Sequence, residues 1–258
     1  MPATDSGFKD HGFNDHFSGH AADYAAARPR YPAALFGWLA GLCGRCELAW
    51  DAGCGNGQAS RALADHFSKV YATDPSAEQL AIAEAAANIV YAVEPAEQCG
   101  LVDHCADLAC VAQAMHWFDV PRFQREVHRV LRPGGVFAAW TYAKSRVMPA
   151  IDVVFDRFHD ELLEGWWPAG REHVIDSYRN LLFAFEHIAD VPRFDMRCDW
   201  TLPQYRAYLR SWSACQRYTR ASGNDAVALI DKDLSSAWGD PAQARPVTWP
   251  LTVHVGRI

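Results

Sequence analysis

Short apolar runs alternate with helix-spaced segments through the first half of the chain. "CELAWDAG" (46–53) is an apolar run that ends in glycine and predicts a strand. "GQASRALADHFS" (57–68) places Ala59, Leu63 and Phe67 four apart, on one face of a helix. "KVYATDPS" (69–76) is a second strand. "SAEQLAIAEAAA" (76–87) opens with Ser76 at the N-cap position and continues in strong helix formers. "NIVYAVEPAE" and "DLACVAQAMHWF" predict strands three and four. "VPRFQREVHRVLRPGG" predicts a helix stopped by Pro133 and the Gly134-Gly135 turn, and "VFAAWTY" strand five. Upstream, "AADYAAARPRYPAALFGWLAGLCG" reads as helix, proline break and helix, with Leu35, Leu39 and Leu42 at helical spacing.

This alternation predicts an α/β fold: a Rossmann-like, doubly wound, mostly parallel sheet. The strands are apolar almost throughout, as strands covered on both faces are. From about Lys144 the rhythm breaks. "FDRFHDELLEGWWPAGREH" and "QYRAYLRSWSACQRY" mix aromatics with arginine and predict a helical insertion over the sheet, with a strand near Phe194–Trp200. "RPVTWPLTVHVGRI" predicts a terminal strand.

Composition narrows the partners. A length of 258 residues suits one α/β domain with insertions. The net charge of −7 argues against nucleic-acid backbone binding. No apolar run reaches the roughly 20 residues that cross a bilayer, and the N-terminus lacks a signal-peptide pattern. The expectation is a cytoplasmic protein, monomer or homodimer, that acts on a small molecule without nucleic acid or membrane. The eight cysteines include one C-x-x-C, Cys43 and Cys46, with no second pair to complete a zinc site. They are read as reduced thiols packed as small apolar groups, and no metal is expected.

The candidate chemistry lies in "WDAGCGNGQAS". In a doubly wound sheet the first strand-to-helix turn borders the ligand site. Gly53, Gly55 and Gly57 permit positive φ and close approach of a ligand to the backbone. A dinucleotide turn has G-x-G-x-x-G spacing; here the third glycine comes one position early. Asp51 puts a carboxylate beside the turn, a poor neighbour for pyrophosphate and a good one for a sulfonium or ammonium. That sign favours S-adenosylmethionine (SAM) over NAD. Asp74, at the end of strand two, is placed to accept bonds from ribose hydroxyls.

With "FSGHAADYAAARPRYP", "DAGCGNG", "ATDPSAEQL", "EPAE", "VAQAMHWFD", "VLRPGGVFAAWTY" and "YLRSWSACQRY", the chain resembles class I SAM-dependent methyltransferases. It is similar to their small-molecule branch of trans-aconitate methyltransferase-like and methyltransferase type 11 proteins. The resemblance implies one methyltransferase domain over 1–258: N-terminal cap helices (17–45), a SAM-binding core (46–143), a mainly helical substrate lid (144–215) and a C-terminal part with the final strand (216–258). It implies a cofactor lined by Asp51, Gly53, Cys54 and Gly55, with Asp74 on the ribose and Pro75 and Ser76 beside the adenine. Ala96 and Glu97 would sit at the adenine edge, where many relatives carry an Asp in place of Pro95. Gln113 and Ala114 would face the methionine part. Tyr24, Arg28 and Tyr31 would close over the cofactor, with Arg28 pairing its carboxylate.

Methyl transfer from a sulfonium asks the protein to align nucleophile, methyl and sulfur and to exclude water. His116, just past strand four, is the candidate base or hydrogen-bond donor; the plain alternative is a residue that only shapes the pocket. Trp117, Tyr142, Trp166 and Trp167 are the candidate acceptor walls, against a reading of most such aromatics as core. Arg146, Arg171 and Arg179 are candidates for a carboxylate acceptor, which the resemblance suggests. Rival readings are C-methylation of a quinone or polyketide-like ring, a non-catalytic SAM-binding protein and, weakest, a NAD-dependent oxidoreductase.

Overall fold

A computed structural model of the chain describes residues 29–258 except 169, 170, 182 and 184. In chain order the elements are α1 (Ala33–Leu42), β1 (Leu48–Ala52), α2 (Gln58–Leu63), β2 (Lys69–Asp74), α3 (Ala77–Ala81), β3 (Ile89–Val93), β4 (Ala106–Ala112), α4 (Val120–Val130), β5 (Leu131–Thr141), α5 (Pro149–Arg157), α6 (Arg171–Ile175), β6 (Glu186–His187), β7 (Phe194–Trp200), α7 (Leu202–Arg210), α8 (Ser213–Ser222), α9 (Asp231–Trp238) and β8 (Arg245–Arg257). The sheet order is β3-β2-β1-β4-β5-β8-β6, with β7 also on β8. The first five strands pair in parallel and β8 runs antiparallel to β5. The mostly parallel α/β sheet expected from the sequence is therefore present.

Alternate residues of the strands feed two cores. On β5, Phe137 and Ala139 join Trp50, Phe123 and Val127 on one face, while Val136, Ala138 and Trp140 join Leu35, Phe36, Leu39 and Leu63 on the other. In α1 the buried residues are Leu35, Phe36 and Leu39, and Leu42 is half-buried. A third apolar cluster holds Phe155, Phe158, Tyr205, Tyr208, Trp212, Leu234, Trp238 and Trp249, so it joins residues of the 144–215 segment to α9 and β8.

One element is shorter than its composition suggests. The helix expected over 76–87 stops at Ala81, although Ser76 caps it by accepting from the Gln79 amide at 3.3 Å. Its buried residue is Gln79, and Ile82 is 43% exposed. High propensity without an apolar face to pack does not sustain a longer helix.

All eight cysteines are free thiols. Among the described residues no helix is long and apolar enough to cross a membrane.

Candidate active site

The turn after β1 is tied to the end of β2. The amides of Gly53 and Cys54 both donate to the Thr73 carbonyl, at 2.8 and 3.0 Å, and Gly57 N–H donates to Cys54 O at 2.9 Å. Gly53, Gly55 and Gly57 have φ of +68°, +55° and +81°, the left-handed region where a side chain is disfavoured. Their surroundings differ. A Cβ on Gly53 would come within 2.8 Å of Ala114 Cβ and Phe118 Cζ, and one on Gly57 would run into the Tyr91 ring. A Cβ on Gly55 would meet only Gln79 Oε1, at 3.9 Å, in a space that belongs to the cavity beside the turn.

Asp74 reinforces this turn. Its Oδ2 accepts from Gly55 N–H at 2.8 Å and its Oδ1 from Ser76 N–H at 2.9 Å. Asp51 departs from the expectation of a charge facing the ligand. It is fully buried and absent from the cavity wall, accepting from Ser60 Oγ at 2.6 Å and facing Cys110 Sγ at 3.7 Å. Burial pushes its pKa up to about 6, against the hydrogen bonds from Ser60 and Cys110. The carboxylate thus anchors α2 to β1 from inside the fold.

The carboxyl ends of β1 to β4 surround a cavity of about 570 Å³. Its wall includes Tyr31, Gly53, Cys54, Gly55, Asp74, Pro75, Ser76, Ala96, Glu97, Gln113, Ala114, Trp117 and Tyr142. The volume lies in the range of small-molecule and cofactor sites. Tyr24 and Arg28 lie outside the described residues. Tyr31 rests edge-on against Trp140, with ring centroids 5.6 Å apart. Glu97 Oε1 accepts from Asp119 N–H at 2.7 Å and so holds the loop that leads into α4.

A family described as "Methyltransferase domain" matches residues 50–139. A Dictyostelium discoideum protein named as a methyltransferase is 30% identical over 230 residues, 88% of this chain and 87% of that one. A solved structure from Anaeromyxobacter dehalogenans, named as a type II methyltransferase, is 44% identical, with a TM-score of 0.84 over 89% of this chain and 97% of that one. A Saccharomyces cerevisiae protein named as an S-adenosylmethionine-dependent methyltransferase is 31% identical over 131 residues, 47% of this chain and 45% of its own length.

The chain belongs to the class I SAM-dependent methyltransferases.

A second, smaller chamber of about 70 Å³ adjoins the large cavity of this methyltransferase and shares Gln113, Trp117 and Tyr142 with it. Its other walls are His116, Ala143, Trp167, Pro168, Arg171, Tyr208, Trp212 and Ser213. His116 lies on a 3₁₀ turn (Met115–Trp117) after β4. Its Nδ1 is 3.4 Å from Tyr178 Oη, and its pKa is lowered to about 3, first by burial and then by the charges of Arg171 and His173. The imidazole is therefore neutral at physiological pH.

Gln113 is oriented without ambiguity. Its Nε2 donates to Tyr142 O at 3.0 Å, and its Oε1 accepts from Tyr142 N–H at 2.8 Å and Thr141 Oγ1 at 2.9 Å. The amide is engaged in clamping the end of β5, and the residue takes a left-handed φ of +59° to do so. Gln113 thereby places Tyr142 and itself lines both the large cavity and the space beside His116.

Trp166, expected at the acceptor, instead packs edge-on against Tyr218 at 5.3 Å and lines neither cavity. Arg146 and Arg179 are also elsewhere: Arg146 pairs with Asp156 at 3.0 Å, and Arg179 is exposed and donates to Asp176 O. Of the three arginines only Arg171 enters the chamber, where its guanidinium lies 4.5 Å from the centre of the Trp167 ring. Sequence reasoning did not single out Tyr208 or Trp212. Both lie on or between helices whose apolar periodicity marks core, which they also are.

Proposed function

We propose that the chain methylates a small-molecule acceptor, a carboxylate, seated in the smaller chamber, with SAM in the larger cavity. One observation carries this reading: the chamber holding Arg171 and His116 shares three wall residues with the cavity at the glycine turn. The residues present suit the cofactor. The missing Cβ of Gly55 leaves the turn backbone open to a ligand, and Asp74 stands beside it with a carboxylate whose oxygens have capacity for several donors. In this reading Asp74 holds the ribose, and Pro75, Ser76, Ala96 and Glu97 line the adenine end.

Bound SAM supplies a sulfonium methyl that is open to in-line displacement. The chain's own task is alignment and exclusion of water. Gln113 fixes Tyr142, and Trp117 and Tyr142 form the boundary that both compartments share. Arg171 offers a planar fork of donors to a carboxylate. A carboxylate is already ionised at neutral pH and needs no base. A neutral His116 then serves best as a hydrogen-bond partner of the acceptor. The positive Arg171 favours an acidic acceptor over the uncharged ring of the C-methylation alternative.

Calorimetric titration with S-adenosylhomocysteine tests the cofactor half. Asp74→Ala is expected to weaken binding at least about tenfold, the loss of charge-assisted hydrogen bonds; unchanged affinity would overturn the assignment. Acceptor panels of carboxylic acids, phenols and quinones test the other half, and turnover confined to quinones or phenols would refute the carboxylate.

A further inference from the structure

A buried histidine outside both cavities holds two of the chamber's walls. His159 is 2% exposed and sits in the π-helical turn Phe158–Leu162 that follows α5. Such widened turns interrupt the regular helical ladder and recur at functional sites. Its carbonyl accepts from Trp167 Nε1 at 3.1 Å. Its Nδ1 lies 2.8 Å from Asp160 Oδ1, and its Nε2 lies 3.2 Å from Arg171 Nη2.

The partners fix the tautomer. A guanidinium only donates, so Nε2 must be the unprotonated nitrogen. The carboxylate only accepts, so the proton is on Nδ1. The ring is sandwiched by Phe155, stacked at 6.0 Å and 15°, and by Trp167 and Trp212, which leaves it little freedom to turn. Burial, followed by the Arg171 charge, lowers its pKa to about 4 against the pull of Asp160, which agrees with a neutral ring.

We propose that His159, oriented by Asp160, is a positioning residue that fixes the Arg171 guanidinium over Trp167 as the anchor for an anionic group of the acceptor. This rests on the reading of the smaller chamber as the acceptor site, and it adds what makes that site discriminate. Arginine alone on a short helix has many rotamers. Bonded to Nε2 and laid against an indole that the same residue holds through its carbonyl, the guanidinium is held in one orientation at the chamber wall. The Lys144 ammonium, paired with Asp156 at 3.0 Å and Asp160 at 2.5 Å, keeps the supporting carboxylate ionised.

The test compares an acid with its uncharged isostere. Crotonate and crotonamide are titrated separately into the full-length protein saturated with S-adenosylhomocysteine, and the ratio of their dissociation constants is read. Wild type is expected to favour the acid at least about tenfold, and Arg171→Gln to abolish the preference. His159→Phe keeps the ring volume and loses both side-chain bonds; its preference is expected to fall to within about threefold of unity. Asp160 is half exposed, so Asp160→Ala threatens the fold little. Without that acceptor the imidazole is free to protonate Nε2 and turn an N–H towards Arg171, and the preference is expected to drop about threefold. S-adenosylhomocysteine affinity checks that each variant is folded.

A wild-type preference that survives in both His159→Phe and Asp160→Ala but vanishes in Arg171→Gln would overturn the role of His159 and leave the acceptor-site reading standing. If His159→Phe does not fold, Asp160→Ala alone decides. No acid preference in wild type would refute the carboxylate reading and this inference together.

Discussion

Two glycines in one turn have separable purposes. Gly57, at φ +81° with Tyr91 against it, has no room for a side chain, whereas Gly55, at φ +55°, looks into open cavity. Gly57→Ala is expected to destabilise the fold by about 2–4 kcal/mol through strain and collision. Gly55→Ala should cost about 1–2 kcal/mol, yet its methyl would occupy ligand space and weaken S-adenosylhomocysteine binding at least about tenfold. Urea unfolding and calorimetry on both variants separate the two, and equal effects on binding at equal stability would refute the distinction. At His116 the low pKa of about 3 implies that no titration of this ring falls between pH 5 and 8. His116→Gln should lower turnover while the wild-type rate stays flat in pH across that interval; a wild-type limb near pH 6.5 that disappears in the variant would restore the general-base role. The sequence offered His116 through its place after strand four. The same place gave no hint of its neutral state, because burial, Arg171 and His173 set that state and the two charges come from a segment more than fifty residues away.

Elements are joined at the sheet edge opposite the site by one acid. Asp107, at the start of β4, is 6% exposed, and its Oδ2 accepts from the Glu47 and Leu48 amides at 2.8 and 2.9 Å. Its Oδ1 pairs with Arg132 of β5 at 2.7 Å, so three adjacent strands are fastened at their amino ends. Asp107→Ala would strip a charged partner from two strand amides and from a half-buried guanidinium. The expected loss is about 3–4 kcal/mol, with faster hydrogen exchange at Glu47 and Leu48; unchanged protection there would refute the fastening. This acid stands inside a run that reads as strand, and apolar patterning places the run without announcing the clamp. The strands themselves were legible for the opposite reason. Residues 106–111 are buried, so "LACV" (108–111) shows as a continuous apolar run. The helix expected over 76–87 ends at Ala81 because, although its alanines favour a helix intrinsically, none of residues 81–87 is fully buried.

Across the molecule, buried ionisable groups set how stability responds to acid. His159 has its pKa lowered to about 4, so its contribution is complete above the unfolded value near 6.5 and is lost as pH falls towards 4. By pH 5 that loss is about 2 kcal/mol. Asp51 acts with the other sign. With a pKa raised to about 6, its folded form is favoured when protonated, so stability from this group is complete below about pH 4 and lost as pH rises through 6. Between pH 7 and 5 it returns about 1 kcal/mol, less than the histidine removes, and His116 adds to the loss. Urea unfolding at pH 7 and pH 5 should therefore show a net fall in stability for wild type. Asp51→Asn should enlarge that fall, because the opposing carboxyl is gone, and His159→Phe should shrink it. A wild-type protein more stable at pH 5 than at pH 7 would mean that carboxylates, not His116 and His159, dominate the titration. Since His159 supports the chamber, the same acid transition should reach acceptor binding as well: protonating its Nε2 replaces an acceptor for Arg171 with a like charge. The preference for a sulfonate over its sulfonamide, a pair whose anion stays ionised at this pH, is then expected to disappear near pH 4–5 while the fold is still intact, and a preference that persists until global unfolding would separate the stability of this histidine from its influence on the site.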